Sequence, residues 1–106
     1  IPDYIEHAAY KCYVFVKSEE LKNGWNRDKI LNEINLLDVP CYTGACSEVY
    51  LEKAFDNTGL RPKERLVHAK KLGETSLMFL VHPTLTKNEI NQTCDAITTV
   101  MKLATK

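Results

Sequence analysis

Hydrophobic positions come in bursts of differing period along the chain, and each period predicts an element. Residues 8–17 read Ala-Ala-Tyr-Lys-Cys-Tyr-Val-Phe-Val-Lys, aromatic and β-branched, with neither Gly nor Pro. That composition predicts a strand. Alternation puts Tyr10, Cys12, Val14 and Val16 on one face and Tyr13 and Phe15 on the other. Both faces are apolar, so a central strand with cover on each side is expected. In 27–37 the period changes: Ile30, Leu31, Ile34 and Leu37 recur at helical spacing, behind an Asn23-Gly24-Trp25-Asn26 turn whose Asn26 suits an N-cap. Pro40 biases Val39 away from helical dihedrals and ends that helix, leaving 39–42 as a short strand.

The stretch 43–62 has no clean period. It holds Gly44-Ala45-Cys46, a short helix candidate at 48–55 and a turn at Asn57-Thr58-Gly59. Pro62 suits the first turn of a helix reaching about Leu72, with Gly73 to end it. Residues 76–81 are almost continuously apolar, the pattern of a buried strand. Thr86 and Glu89 form a capping box, Leu85 is placed to staple onto Ile90, and Ile90, Cys94, Ile97 and Met101 mark one face of a helix of roughly 18 residues. The resulting order predicts an α+β fold: a small, mostly antiparallel sheet of about three strands with helices packed mainly on one face.

Composition narrows the function classes. A chain of 106 residues is one domain. Fourteen Lys and Arg balance fourteen Asp and Glu, so the cationic excess that a nucleic-acid binder needs is missing. No apolar run approaches the roughly 20 residues of a membrane span, and no targeting peptide is legible. The first residues, Ile1-Pro2-Asp3, carry no initiator Met and lead straight into a strand. We read this as a segment of a larger polypeptide.

Cys12, Cys41, Cys46 and Cys94 show neither Cys-x-x-Cys nor finger spacing. Free thiols in a reducing compartment and no metal are expected, with Cys12 and Cys94 acting as small hydrophobes. Gly44-Ala45-Cys46-Ser47 resembles a nucleophile turn only superficially: a cysteine nucleophile needs an oriented base, and spacing does not tie His7, His68 or His82 to it. Arg61, Lys63, Glu64 and Arg65 gather at the expected helix start, where a phosphate site or a solvated charged face is open.

Read in order, three segments resemble a known family. They are Ala9-Tyr10-Lys11-Cys12-Tyr13-Val14-Phe15, then Arg27-Asp28-Lys29-Ile30-Leu31-Asn32-Glu33-Ile34, then Val39-Pro40-Cys41-Tyr42. Together with Arg65-Leu66-Val67-His68-Ala69 and Ser76 through Thr86, they are similar to the C-terminal third of the DegT/StrS sugar aminotransferases. The likeness covers about residues 7–102 and rests on order and spacing, since each motif alone is weak. This chain departs from many relatives at Leu80, where they carry Pro, and in the loop after Tyr42.

The resemblance implies the small domain of a fold-type-I, pyridoxal-phosphate (PLP)-dependent enzyme that moves an amino group, often from glutamate, to a keto-sugar nucleotide. Such enzymes are usually cytosolic homodimers serving polysaccharide or glycoside biosynthesis. The cofactor lysine, the ring carboxylate and the phosphate cradle would lie in the large domain, so this segment alone would have no catalytic or cofactor-binding residue and no activity. The resemblance places the loop 42–50 at the cleft, with Tyr42, Ser47, Glu48 and Tyr50 as sugar contacts. An apolar surface including Tyr13, Phe15 and the stub 1–5 would face the large domain. A free-standing regulatory or metabolite-binding α+β module is the other reading of the same pattern.

Overall fold

The computed structural model describes residues 2–6 and 10–106. Three strands form one antiparallel sheet: β1 (Lys11–Phe15), β2 (Cys41–Thr43) and β3 (Ser76–Leu80), in the order β1-β3-β2. Cys12, Phe79 and Cys41 lie in register across it, as do Tyr13, Met78 and Tyr42. Helices α1 (Arg27–Asn35) and α3 (Lys87–Ala104) pack together over one face. A third helix, α2 (Val67–Thr75), runs directly into β3. The α+β class and the one-sided helical layer are those expected from the sequence.

The core is the meeting of that sheet face with α1 and α3. Ile30 and Ile34 from α1, Ala96, Val100 and Ala104 from α3, and Leu77, Phe79 and Cys41 from the sheet are all buried. Local chemistry starts the helices where expected. Asn26 Oδ1 accepts the Lys29 amide at 2.8 Å, and the Thr86–Glu89 capping box is complete. The chain returns on itself at its far end: Lys22 N–H donates to the Ala104 carbonyl at 2.8 Å, and Lys106 N–H to that of Glu20 at 3.1 Å.

Several expectations are corrected. The central strand is β3, and β1 is an edge strand with most of its side chains exposed; expected strand positions 8 and 9 lie outside the described residues. Two apolar faces on β1 therefore mark an uncovered surface rather than a buried one. On α3 the fully buried seam is Ala96, Val100 and Ala104; Ile97 and Met101 of the expected face pack half-buried against the core, while Ile90 and Cys94 are exposed. Small side chains let α3 approach α1 closely, which is a packing reason that hydrophobicity alone does not reveal. Cys12 is exposed as well, and Cys41 is the buried thiol.

Helix α1 stops at Asn35, two residues early. Asn35, the last residue of α1, grips β2: its amide nitrogen donates to the carbonyls of Leu31 and Cys41, and its oxygen accepts the Cys41 amide. Asp38, at φ 56°, reverses the chain before Pro40. The helix expected from Pro62 begins only at Val67, and the candidate at 48–55 is two short 3₁₀ turns, Val49–Leu51 and Lys53–Phe55. Gly73 lies inside α2 instead of ending it. A Cβ there would stand 2.5 Å from Ser47 Oγ, so the glycine makes room for the incoming loop.

Candidate functional site

The loop from Tyr42 to Arg65 leaves the end of β2 and is secured at two places. Gly44 lies beside the sheet, where an added Cβ would meet Ser76 Oγ at 2.5 Å, Ser76 Cβ at 2.9 Å and the Tyr13 ring at 3.4 Å. Gly44 is not among the residues with positive φ, so it serves the close approach of the loop to the sheet. Ser47 then stacks over Gly73 of α2. Beneath this junction Arg27 Nη1 donates to the carbonyls of Gly73 (3.0 Å) and Ser76 (2.8 Å), binding α1 to the α2–β3 corner.

Glu48 is the electrostatic centre of the loop. Its carboxylate takes a bidentate pair from Arg65, Nε to Oε1 and Nη2 to Oε2, both at 2.6 Å. Tyr50 Oη donates to Glu48 Oε1 at 2.7 Å and accepts the Leu66 amide at 3.0 Å, so the phenol also caps the approach to α2. The paired guanidinium holds the Glu48 carboxyl down to about 2, against an ordinary 4.5, and burial next to Glu48 raises the Tyr50 phenol. A carboxylate whose folded value is depressed stabilises the fold fully above its unfolded value and loses that contribution as pH falls. The loop should therefore loosen between about pH 4.5 and pH 2. A carboxyl NMR titration is expected to put Glu48 near 2, with the Tyr50 ring shifting in the same step. A midpoint at the ordinary value would mean that the ion pair is absent in solution.

Of the four residues singled out from sequence, Glu48 and Tyr50 come together directly and Ser47 lies beside them on Gly73. Tyr42 stands apart on β2, half exposed, on the sheet face opposite the helices. Sequence reasoning missed Arg65 as the partner of Glu48. The two are seventeen residues apart, with no helical or strand period to connect them. Arg61 is likewise committed, to the carbonyls of Tyr50, Leu51 and Glu52 and to Asp56, so neither arginine is left free for a phosphate.

The remaining candidate chemistry is structural. Cys46 Sγ donates to Glu52 at 3.6 Å rather than to a histidine, and His82 bonds Thr84; His7 lies outside the described residues. Burial pushes the Cys41 thiol up to about 11, which makes it a poor nucleophile. No cluster of metal-ligating side chains and no helix long and apolar enough to cross a membrane occurs among the described residues. Every lysine there is exposed or half exposed.

The open three-stranded sheet backed by two helices matches part of a solved aminotransferase. Over 92% of its length the chain superposes on the X-ray structure of the aminotransferase from Psychrobacter cryohalolentis, with 65% sequence identity and a TM-score of 0.89. It spans 25% of that protein's chain. No protein-family model matches the chain, and no curated protein matches it.

Proposed function

We propose that residues 1–106 are the C-terminal small domain of a DegT/StrS-type, PLP-dependent aminotransferase that passes an amino group to a keto-sugar nucleotide. The observation that carries this reading is the 65% identity to an aminotransferase over nearly the whole chain. The parent enzyme would be a cytoplasmic homodimer acting in polysaccharide or glycoside biosynthesis. PLP supplies an electron sink when bound. Its imine lysine, ring carboxylate and phosphate cradle would belong to the large domain, and this domain alone would be inactive.

The role left to this chain is to wall the cleft and orient the sugar. Ionised Glu48 has roughly four acceptor positions. Arg65 and Tyr50 use three of them, leaving one on Oε2 for a sugar hydroxyl. The Arg65 pair fixes the direction of that oxygen, and Ser47 in the same loop and the half-exposed Tyr42 on β2 offer further hydroxyls. In the full-length enzyme, Tyr42→Phe is expected to lower kcat/KM for the sugar substrate by about 1–2 kcal/mol, or roughly 5–30-fold. The half-reaction with the amino donor should be unchanged. Unaltered sugar kinetics, or loss of cofactor binding, would remove the loop from sugar recognition.

A further inference from the structure

The loop that carries Glu48 is held from two sides. Beyond Glu48, Arg65 and Arg61 bind the 48–56 segment. Before it, the chain rests on two residues of the α2–β3 corner. Gly44 lies against Ser76, and Ser47 lies over Gly73. Gly73 and Ser76 are also the two residues whose carbonyls accept Arg27 Nη1, at 3.0 and 2.8 Å. The Arg27 side chain is only 13% exposed, and its Nε donates to Asp28 at 2.7 Å. Helix chemistry explains the demand for a donor here. The last carbonyls of a helix have no partner within it. At the end of α2 the Ser76 amide donates to the Leu72 carbonyl and the Val16 amide to that of Thr75, while the Gly73 carbonyl is left to Arg27. A cation is favoured at such a C-terminal end.

We propose that Arg27 is a positioning residue for sugar recognition: from α1 it fixes both footholds of the 44–47 chain and so aims the Glu48 carboxylate that follows. This rests on the reading of the Glu48 loop as the sugar contact of an aminotransferase. Arg27 acts through Gly73 and Ser76, and through Ser47 and Gly44 resting on them. One guanidinium nitrogen spans carbonyls on either side of the helix–strand junction, which sets the angle between α2 and β3. The loop has no slack to absorb a change in that angle, because neither Gly44 nor Gly73 leaves room for so much as a methyl group without a shift. Close-packed contacts of this kind transmit displacement. A lysine would bring the charge without the planar fork.

The test uses the full-length polypeptide, with glutamate as donor and a nucleoside-diphosphate keto-sugar as acceptor. Arg27→Met is expected to raise KM for the acceptor about tenfold, since a misplacement of about 1 Å can cost on the order of 100-fold. The donor half-reaction should keep its rate, and so should kcat at saturating acceptor, the mark of lost binding. Arg27→Lys should fall between Arg27→Met and the unsubstituted enzyme. Deuterium exchange without substrate should quicken roughly threefold or more in amides 44–48 and stay unchanged in α3. An unchanged acceptor KM in Arg27→Met overturns the proposal, whatever the exchange shows. Equal losses in both half-reactions also overturn it, because Arg27 would then only hold the fold. If Arg27→Met does not fold, Arg27→Lys decides by the same readings. An unsubstituted polypeptide that moves no amino group defeats the aminotransferase reading alone, and unaltered loop exchange in the variants then defeats the positioning role.

Discussion

Replacing Ile30 with alanine is expected to cost the domain roughly 3–5 kcal/mol, a large share of the about 5–15 kcal/mol that holds a typical domain folded. Ile30 is fully buried where α1 meets the sheet and α3, and it belongs to the cluster that includes Phe79 and Val100. Truncation removes its transfer energy and leaves a cavity, because neighbours on a helix and a central strand cannot collapse into the space. Urea denaturation of the wild-type and substituted chains measures the loss. Leu36→Ala, at an exposed position of the same segment, should change stability by no more than about 0.5 kcal/mol. A similarly small loss for Ile30→Ala would mean that the α1–sheet–α3 core is not the one described.

Gly44→Ala should be the next most damaging change, costing about 1–3 kcal/mol. The added methyl group would stand 2.9 Å from Ser76 Cβ, which is fixed to the backbone of the central strand and cannot rotate away. Relief requires the loop to lift from the sheet and the Tyr13 ring to move. The same melts should therefore show the loss of stability, and NMR shifts should reach both Tyr13 and the Glu48–Arg65 pair. By contrast, a Cβ at Gly73 meets only the Ser47 hydroxyl oxygen, the free end of a side chain. Equal costs at the two glycines would contradict this difference.

The parts of the fold that the sequence announces are those set by near neighbours. The Thr86–Glu89 capping box, the Asn26 cap and the continuous apolar run of β3 each declare themselves within a few residues, and all three are found in place. What stayed hidden depends on distant partners. The run around β1 looks doubly buried because both its faces are apolar, yet only the sheet order reveals it as an edge. Ala96 and Ala104 are buried in α3 while the larger Ile90 is exposed, because position on the helix, not side-chain size, decides burial there. Pro62 resembles a helix start, but Arg61 and Arg65 hold the chain to the 48–56 segment, and α2 waits until Val67. The candidate site shows the same division. Its hydroxyls and carboxylate were legible as residue types, while the Arg65 pair that orients them was not.

The most direct test of the central claim is isotope transfer by the full-length polypeptide. Incubated with PLP, ¹⁵N-glutamate and a keto-sugar nucleotide, it is expected to yield an amino sugar nucleotide carrying the label, detected by mass spectrometry. A polypeptide that binds PLP yet moves no ¹⁵N from any amino donor to any keto acceptor would contradict the assignment of this chain to an aminotransferase.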